Sequence, residues 1–415
     1  MWFMISVANP LQPLSGNKLS LMKHSGMIKR LLVFLLMNIC LGGFAISQEA
    51  HKYTVAYFVP LHLDSAFDVT HNYKFGKSFP RQSISGLEFY TGAEMALDSL
   101  KTEKEKVEVR IFDIRSSQGA ISTITSSPVM DSIDLIIGQV SGTEYLQLAD
   151  VAKTRNIPFV SATYPNDGGI KNNPNVVIVN SKLNTHIQSL YNYILRNWGT
   201  HNIVWLRRKN SADDRIEEIF KQLNQSPGGG VLKYKTYTVP DFLTVTDISN
   251  KLDSLRQNII IAGSLDEGFG TRVATACVGL GKSYNTFLVG MPNWEGIKDL
   301  QKKDYSAVPI VYSSTFFNNS SPWSVAFEEA YKKRTYSKPT DLVYKGFEIT
   351  YNFVKLLIKY DSTLINHLDD KSFKVMTDFD FKPIRWNKAD IDPDYFENKR
   401  IYIVRRLNGV MTQLN

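Results

Sequence analysis

Strand-like and helix-like segments alternate along most of this chain, and this alternation limits its possible folds more than any other feature. Apolar runs such as Thr54–Pro60 and Ile133–Gly138 predict buried strands, and the apolar stripe of Ser85–Leu100 predicts a helix. The alternation occurs twice, over about residues 53–179 and again over 184–290. Strands that alternate with helices form parallel sheets with helices on both faces. The sequence therefore predicts an α/β fold with two doubly wound parallel-sheet lobes.

The pattern changes after Tyr312, where two helices and a final strand-like segment follow. Short linkers that could carry the chain between the lobes lie near Asn180–Leu183, Ser313–Phe317 and Phe379–Lys382. The predicted division gives lobe one residues 48–180 and 314–378, and lobe two residues 181–313 and 379–415. Each lobe then has the size of an ordinary domain with its own core.

An apolar run at Leu31–Ala45 has the layout of a secretory signal. Lys29 and Arg30 precede it, and small residues allow cleavage after Ser47. Fifteen residues of helix span about 22 Å, which is less than the ~30 Å hydrocarbon core of a membrane. We therefore expect residues 1–47 to be removed, and the remaining chain to be periplasmic and not stably inserted in the membrane.

The sequence also indicates where the signal peptide begins, and it allows two alternatives to cleavage as a signal, a membrane anchor and a lipid-modified cysteine. A conventional signal peptide begins at Met27, so residues 1–26 suggest an over-extended start. The run could also be retained as a membrane anchor. Cys40 could carry a lipid, although the residues just before it, Met37-Asn38-Ile39, lack the expected small side chain.

Charge and cysteine content argue against several classes of protein. The formal net charge of +8 falls to +4 when the signal leaves with its four basic residues, and no dense Lys/Arg run remains to bind nucleic acid. Cys277 is then the single cysteine, so no internal disulfide can form. The sequence has no complete phosphate-loop, dinucleotide-binding or zinc-binding motif. We expect no cofactor and no metal.

Small hydroxyl residues follow two predicted strands of lobe one. Ligands of open α/β sheets bind at the carboxyl ends of the strands, where helix N-termini offer unpaired N–H groups to an anion. The alternative for Ser141 is a simple helix N-cap, which contributes about 1 kcal/mol. The candidate ligand-binding residues of this lobe are Ser141, Gly142, Thr143, Ser161, Ala162 and Thr163.

Lobe two and one long loop provide further candidates. Asp266 and Glu267 could meet a ligand amine, although acidic residues also stabilise any helix N-terminus. Asn293 and Trp294 follow the next strand, where the indole could stack on a ligand or pack in the core. Tyr73 lies in the long loop Leu61–Ser83, which is either a binding loop or a surface decoration.

The block Gly138–Pro165 (GQVSGTEYLQLADVAKTRNIPFVSATYP) resembles type I periplasmic solute-binding proteins of the leucine/isoleucine/valine-binding kind. In that family, turns after the third and fourth strands hold the ligand's amino-acid backbone. Ser141 and Thr143 match the first turn, and Ser161, Ala162 and Thr163 match the second. The resemblance implies two lobes joined by three crossovers that close over a small ligand. The longer loop Leu61–Ser83 departs from plain amino-acid binders.

Three functions from different classes remain after this reasoning. The first is capture of a small polar solute, amino-acid-like or a short peptide, for an inner-membrane ABC permease. The second is an envelope-associated sensor or scaffold module without transport. The third is an exported hydrolase, which would need a nucleophile or acid–base pair with perturbed pKa values. The sequence supplies hydroxyl groups and helix N-termini but no such pair, which favours binding over catalysis.

Overall fold

Two sheets, each with its own helices, account for the alternation in the sequence. The structure, a computed structural model, describes residues 52–117, 119–226, 230–317 and 321–415. The predicted signal segment, residues 1–47, lies outside these residues. Within the described ranges, no helix combines the length and the apolar character that crossing a membrane requires.

The strands follow one another in chain order as β1 (Tyr53–Val59), β2 (Val107–Asp113), β3 (Leu135–Gly138), β4 (Phe159–Ser161), β5 (Val176–Ile178), β6 (Asn202–Arg207), β7 (Lys235–Thr238), β8 (Asn258–Ala262), β9 (Thr286–Val289), β10 (Ile310–Ser314), β11 (Phe381–Ile384), β12 (Tyr395–Asn398), β13 (Tyr402–Leu407) and β14 (Val410–Gln413).

The α-helices are α1 (Leu63–Ala66), α2 (Arg81–Ser99), α3 (Ile121–Thr125), α4 (Gly142–Arg155), α5 (Leu183–Trp198), α6 (Ser211–Gln225), α7 (Val245–Ser249), α8 (Glu267–Leu280), α9 (Pro322–Thr335) and α10 (Asp341–Tyr360). Short 3₁₀ turns occupy Lys101–Lys106, Pro128–Ser132, Pro292–Gly296, Lys298–Gln301, Lys303–Tyr305 and Asp361–His367.

The strand order of each sheet confirms the α/β two-lobe fold. The first sheet runs β11-β12-β5-β4-β3-β1-β2, and the second runs β14-β13-β10-β9-β8-β6-β7. Most neighbouring strands are parallel, which places their carboxyl ends at one edge of each sheet. Both sheets are mixed, because β11, β13 and β14 pair antiparallel at the sheet margins.

Side chains of β1 alternate between two apolar layers of lobe one. Val55, Tyr57 and Val59 pack with α2 and α10 on one face of the first sheet. Ala56 and Phe58 face the other layer, which α4 helps to cover. All five side chains are buried. A strand that is buried on both faces has a nearly continuous apolar sequence, which is why the run Thr54–Pro60 predicts a buried strand.

The sheet pairing differs from the predicted division of the chain at one place. Strands β11 and β12 belong to the first sheet, through parallel pairing of β12 with β5, although residues 379–415 were predicted in lobe two. The third passage between the sheets therefore lies at residues 399–401 and not near Phe379–Lys382. The sequences FKPI and YFEN carry too few apolar residues to be assigned to a buried sheet from their pattern.

A buried carboxylate joins two of the three crossovers. Glu397, at the end of β12, is fully buried. It accepts hydrogen bonds from the Lys182 N–H at 3.1 Å and the Thr185 hydroxyl at 2.6 Å, both of the first crossover and the start of α5. Lys399, in the third crossover, forms an ion pair with it at 2.6 Å. A buried charge is costly unless it is paired and hydrogen-bonded, so Glu397 fixes these passages relative to each other.

Helices α2 and α10 cross so closely that glycine is required at the crossing. A Cβ on Gly92 would lie 2.0 Å from the Val343 carbonyl oxygen, and one on Gly346 would lie 2.0 Å from the Phe89 carbonyl oxygen. Both obstacles are backbone atoms, which cannot turn aside as a flexible side chain could. Any methyl group here must push the two helices apart.

We expect Gly92→Ala to lower the free energy of unfolding by about 1–3 kcal/mol, because overpacking forces the backbone to shift. Urea denaturation followed by circular dichroism measures the change. Gly296→Ala is the control, because a Cβ there meets nothing within 4 Å. Equal effects of the two substitutions would contradict the close crossing.

Candidate functional site

The carboxyl ends of β3 and β4 lie side by side in the first sheet, with Gly138 paired to Ser161. An open groove of about 320 Å³ lies at this edge, and its lining includes both Ser141 and Thr163. The groove volume is at the lower end of the range for small-molecule sites. All residues that line it come from lobe one, and they include Arg115, Gln139, Glu144 and Tyr164.

Ser141 occupies the N-cap position of α4 without capping the helix. Its backbone is extended, with φ −149° and ψ 166°, yet its hydroxyl forms no cap hydrogen bond. Gly142 begins the helix with φ +55°, a left-handed conformation that suits glycine. Ser141, Gly142 and Thr143 are all exposed. The simple N-cap alternative for Ser141 therefore does not describe this turn.

The second predicted turn of lobe one is mostly buried. Ser161 and Ala162 are inaccessible to solvent, and the Ala162 N–H donates to the Gly138 carbonyl at 2.9 Å. The Ser161 hydroxyl has no hydrogen-bond partner. Thr163 is half-buried, and its carbonyl accepts from the Asn180 amide at 2.8 Å. Thr163 is the member of this turn that reaches the groove.

Sequence reasoning missed three polar side chains of the groove. Arg115 and Glu144 form a bidentate ion pair, with Nη1–Oε1 at 2.5 Å and Nη2–Oε2 at 3.2 Å. Gln139 donates its amide to the Ser85 carbonyl at 3.4 Å, and its Oε1 is buried without a partner. Gln139 and Glu144 lie inside the block that carries the family resemblance. Arg115 follows the end of β2, so its place at a strand end was the available signal.

Asp266 and Glu267 occupy the start of α8 in lobe two. The Asp266 carboxylate accepts the Phe269 N–H at 2.5 Å as an N-cap and pairs with Arg208 at 3.3 Å. The alternative interpretation of Asp266, as a helix-stabilising acid, therefore describes its contacts. Glu267 is exposed in the first turn of the same helix. Neither residue lines the groove of lobe one.

Arg208 belongs to an ionic cluster at the carboxyl ends of β6 and β8. Asp213 is buried and accepts the Ser264 hydroxyl at 2.8 Å, while the Arg208 guanidinium donates to the Ser264 oxygen at 3.0 Å. Burial opposes the charge on Arg208, but the hydrogen bond and charge of Asp213, with the charge of Asp266, raise the pKa of its guanidinium. The charged groups of this cluster therefore find their hydrogen-bond and ion-pair partners within the cluster itself.

Trp294 is a core residue of lobe two. Its side chain is 1% exposed, and its ring packs against Gly270 and Gly290. Stacking on a ligand would need an exposed face, which this ring does not offer here. The neighbouring Asn293 donates its amide to the Leu265 carbonyl at 2.7 Å, and its Oδ1 is buried without a partner.

Tyr73 packs within its own loop. Its ring centroid lies 5.6 Å from that of Phe67, 5.9 Å from Phe75 and 6.2 Å from Phe79, and its hydroxyl donates to the Ser78 carbonyl at 2.6 Å. Asp113 holds the first residues of the loop in place. Its carboxylate accepts hydrogen bonds from three successive backbone N–H groups, those of Leu61, His62 and Leu63. Tyr73 does not line the groove.

A second, small cavity of about 40 Å³ lies between the second sheet and α10. Glu295 accepts the Ser314 hydroxyl at 2.8 Å, and burial raises the pKa of this carboxyl although the charge of Lys345 opposes the rise. Glu348, on α10, is buried and accepts hydrogen bonds from the N–H and the hydroxyl of Thr377. Burial raises the pKa of Glu348 to about 7, against the effect of those hydrogen bonds.

Glu348→Gln is expected to stabilise the protein at pH 8 and to leave its stability almost unchanged at pH 5. The pKa of Glu348 is raised from 4.5 to about 7, so ionising it costs stability above pH 7, and the cost disappears as the pH falls towards 4.5. Glutamine mimics the protonated form, and the gain at pH 8 reaches up to about 3 kcal/mol.

Urea denaturation at both pH values measures this effect. Glu105→Gln, at an exposed position, is the matched control and should change stability little at either pH. A Glu348→Gln variant that is destabilised equally at pH 5 and pH 8 would contradict the argument.

No group of three or more His, Cys, Asp or Glu side chains in the described part of the chain is arranged to hold a metal ion. Cys277 is buried, and burial raises the pKa of its thiol to about 12. The thiol therefore stays protonated at neutral pH, in the form that is a poor nucleophile.

Comparison with known proteins identifies the family to which this chain belongs. The periplasmic binding protein family matches residues 80–368, which is more than half of the chain. The chain belongs to this family, whose members are substrate-binding proteins. No curated protein sequence matches it.

Solved structures of the family share the fold at low sequence identity. A periplasmic ligand-binding protein of a branched-chain amino acid ABC transporter from Burkholderia xenovorans has a TM-score of 0.62 at 11% identity, over 88% of this chain and 95% of that chain. A branched-chain amino acid substrate-binding protein from Streptococcus pneumoniae, in complex with isoleucine, has a TM-score of 0.51 at 15% identity, over 88% and 99%. A solute-binding protein from R. palustris, in complex with benzoate, has a TM-score of 0.51 at 14% identity, over 88% and 96%.

Proposed function

We propose that this chain is an exported protein that captures a small polar solute, amino-acid-like or a short peptide, between its two lobes. The solute would be delivered to an ABC permease of the inner membrane. Lobe one would comprise residues 52–180 and 314–398, and lobe two residues 181–313 and 399–415, with the revised boundary following the sheet pairing. Ligand binding would favour a closed form in which both lobes contact the solute.

Unpartnered polar atoms at the strand ends are the observation that carries this proposal. In lobe one, Gln139 lines the groove, and its Oε1 is buried without a hydrogen-bond partner. The Ser161 hydroxyl, at the end of β4 and two residues before Thr163, is also buried without a partner. In lobe two, Asn293 follows β9 in the chain, and its Oδ1 is also buried without a hydrogen-bond partner. A buried polar atom without a partner costs about 1–3 kcal/mol, so each one calls for an explanation. A polar ligand that reaches these atoms would provide their missing partners.

The ligands in two of the solved structures suggest which chemical group of the solute would bind to lobe one. Isoleucine and benzoate, present in the complexes from S. pneumoniae and R. palustris, differ in their side groups and share a carboxylate. In this chain, the hydroxyls of Ser141 and Thr163 and the start of α4 form a favourable environment for such an anion. We propose that the solute presents a carboxylate to this turn, with Gly142 and Thr143 contributing backbone N–H groups. Ala162 does not contribute, because its N–H already donates to the Gly138 carbonyl.

A thermal-shift screen of amino acids, short peptides, nucleosides and sugars tests the proposal. A ligand at 100 times its Kd should stabilise the folded protein by about 2.7 kcal/mol. We expect Ser141→Ala combined with Thr163→Ala to abolish the shift without unfolding the protein. Ser132→Ala combined with Thr154→Ala removes the same groups from lobe one outside the groove, and should leave the shift intact. No shift with any class, in folded and ligand-free protein, would overturn the proposal.

Ser161→Ala should separate ligand binding from stability. Because the Ser161 hydroxyl is unpaired, its removal should leave the ligand-free protein equally or more stable, by up to about 1 kcal/mol. The proposal requires the ligand to reach this hydroxyl in the closed form, although it is inaccessible to solvent here. The same change should therefore weaken binding of the ligand found in the screen about 10-fold, as loss of one hydrogen bond does. Urea denaturation and isothermal titration calorimetry measure the two effects.

Ser313→Ala is the matched control, because Ser313 is equally buried but its hydroxyl bonds the ring of His186 at 3.0 Å. This variant should lose stability and keep its affinity. A Ser161→Ala variant with reduced stability and unchanged affinity would mean that the hydroxyl has no role in binding.

A further inference from the structure

We infer that Arg115 is a specificity-determining residue of the groove and that the ligand carries a second anionic group, a side-chain carboxylate, which Arg115 binds. This inference rests on the proposed function and narrows its substrate class. It assigns acidic amino acids, or short peptides with an acidic side chain, in preference to aliphatic amino acids.

The position of Arg115 is fixed from two directions. Its backbone N–H donates to the Asp113 carboxylate at 3.0 Å, directly after β2 ends. Its guanidinium forms the bidentate pair with Glu144, in the first turn of α4. Both side chains line the groove that contains Ser141 and Thr163. A guanidinium held in a defined plane beside two hydroxyls is suited to bind a carboxylate through two parallel hydrogen bonds.

The pair with Glu144 leaves donors available to a ligand. A guanidinium has five N–H groups, and the bidentate pair uses two of them. The Arg115 side chain is 42% exposed, and no other acid among the described residues lies within ion-pair distance of it. A ligand carboxylate can therefore bind the remaining N–H groups while Glu144 keeps the plane fixed. Because Glu144 already holds the side chain, ordering it on binding costs less.

The ion pair between Arg115 and Glu144 contributes little to the stability of the folded protein. Exposed ion pairs contribute about 0–1 kcal/mol to folding. The groove wall beside the pair is polar at Gln139, Ser141 and Thr163. Its apolar part comes from Pro60, Val140, Pro165 and the ring of Tyr164. An acidic ligand side chain could bind the free N–H groups of Arg115 beside the hydroxyls of Ser141 and Thr163, whereas an aliphatic one would leave those N–H groups without a partner.

Isothermal titration calorimetry of the ligand-free, full-length mature protein tests the inference. The probes are glutamate and aspartate, their amides glutamine and asparagine, leucine and isoleucine, and the dipeptides Ala-Glu and Ala-Gln. We expect an acid to bind at least about 10-fold more tightly than its amide, as for loss of a charge-assisted hydrogen bond. Leucine and isoleucine should bind more weakly than the acids.

Two substitutions of Arg115 assign the preference to this side chain. Arg115→Met should weaken binding of the acid by about 10- to 100-fold and leave the amide almost unchanged, while Arg115→Lys should keep part of the preference. Arg110→Met is the control: Arg110 lies on β2, pairs with Glu108 at 2.8 Å and is outside the groove. Melting temperatures establish that each variant is folded.

The outcomes separate this inference from the proposed function. Tighter binding of leucine or isoleucine than of any acid, or an unchanged acid affinity in Arg115→Met, would overturn the inference. In either case, the proposed function stands if the Ser141→Ala and Thr163→Ala double variant no longer binds the compound that the unaltered protein binds. If no compound of any class binds the folded protein, both fail.

Discussion

The buried carboxylate of Glu397 is the interaction on which the geometry of this protein depends. It lies in the last strand of the chain that joins the first sheet, accepts hydrogen bonds from Lys182 of the first crossover and Thr185 of α5, and pairs with Lys399 of the third crossover. A charge without solvent must keep these partners, because losing one leaves an uncompensated ion. The polypeptide connections between the sheets are therefore held by a polar cluster that tolerates little displacement.

The groove follows from the same arrangement of strands. Parallel neighbours end at one edge of a sheet, so the turns after β3 and β4 lie together, and the end of β2 brings Arg115 to the same edge. Each of these turns exposes hydroxyl, amide or charged groups that the sheet itself does not use. A scaffold of this kind can change its ligand by changing turn residues while its core stays the same.

Some residues of the candidate site could be predicted from the sequence and others could not, for physical reasons. Ser141 and Thr163 could be found because each follows a strongly apolar strand, and strand ends of parallel sheets are where ligands bind. Arg115, Gln139 and Glu144 carry no motif; only their positions around one groove set them apart. Trp294 and Tyr73 were ambiguous, because an aromatic ring has the same sequence signature in a core, in a loop cluster or against a ligand.

The sequence by itself determined the two lobes and the α/β class, because buried parallel strands and amphipathic helices have periodicities that short segments already express. It predicted linkers between the lobes near Asn180–Leu183, Ser313–Phe317 and Phe379–Lys382. Only the tertiary structure decided that β11 and β12 return to the first sheet and that Glu397 is buried between the crossovers. Those features depend on pairing between residues more than two hundred positions apart, such as Glu397 with Ile178, which no local pattern encodes.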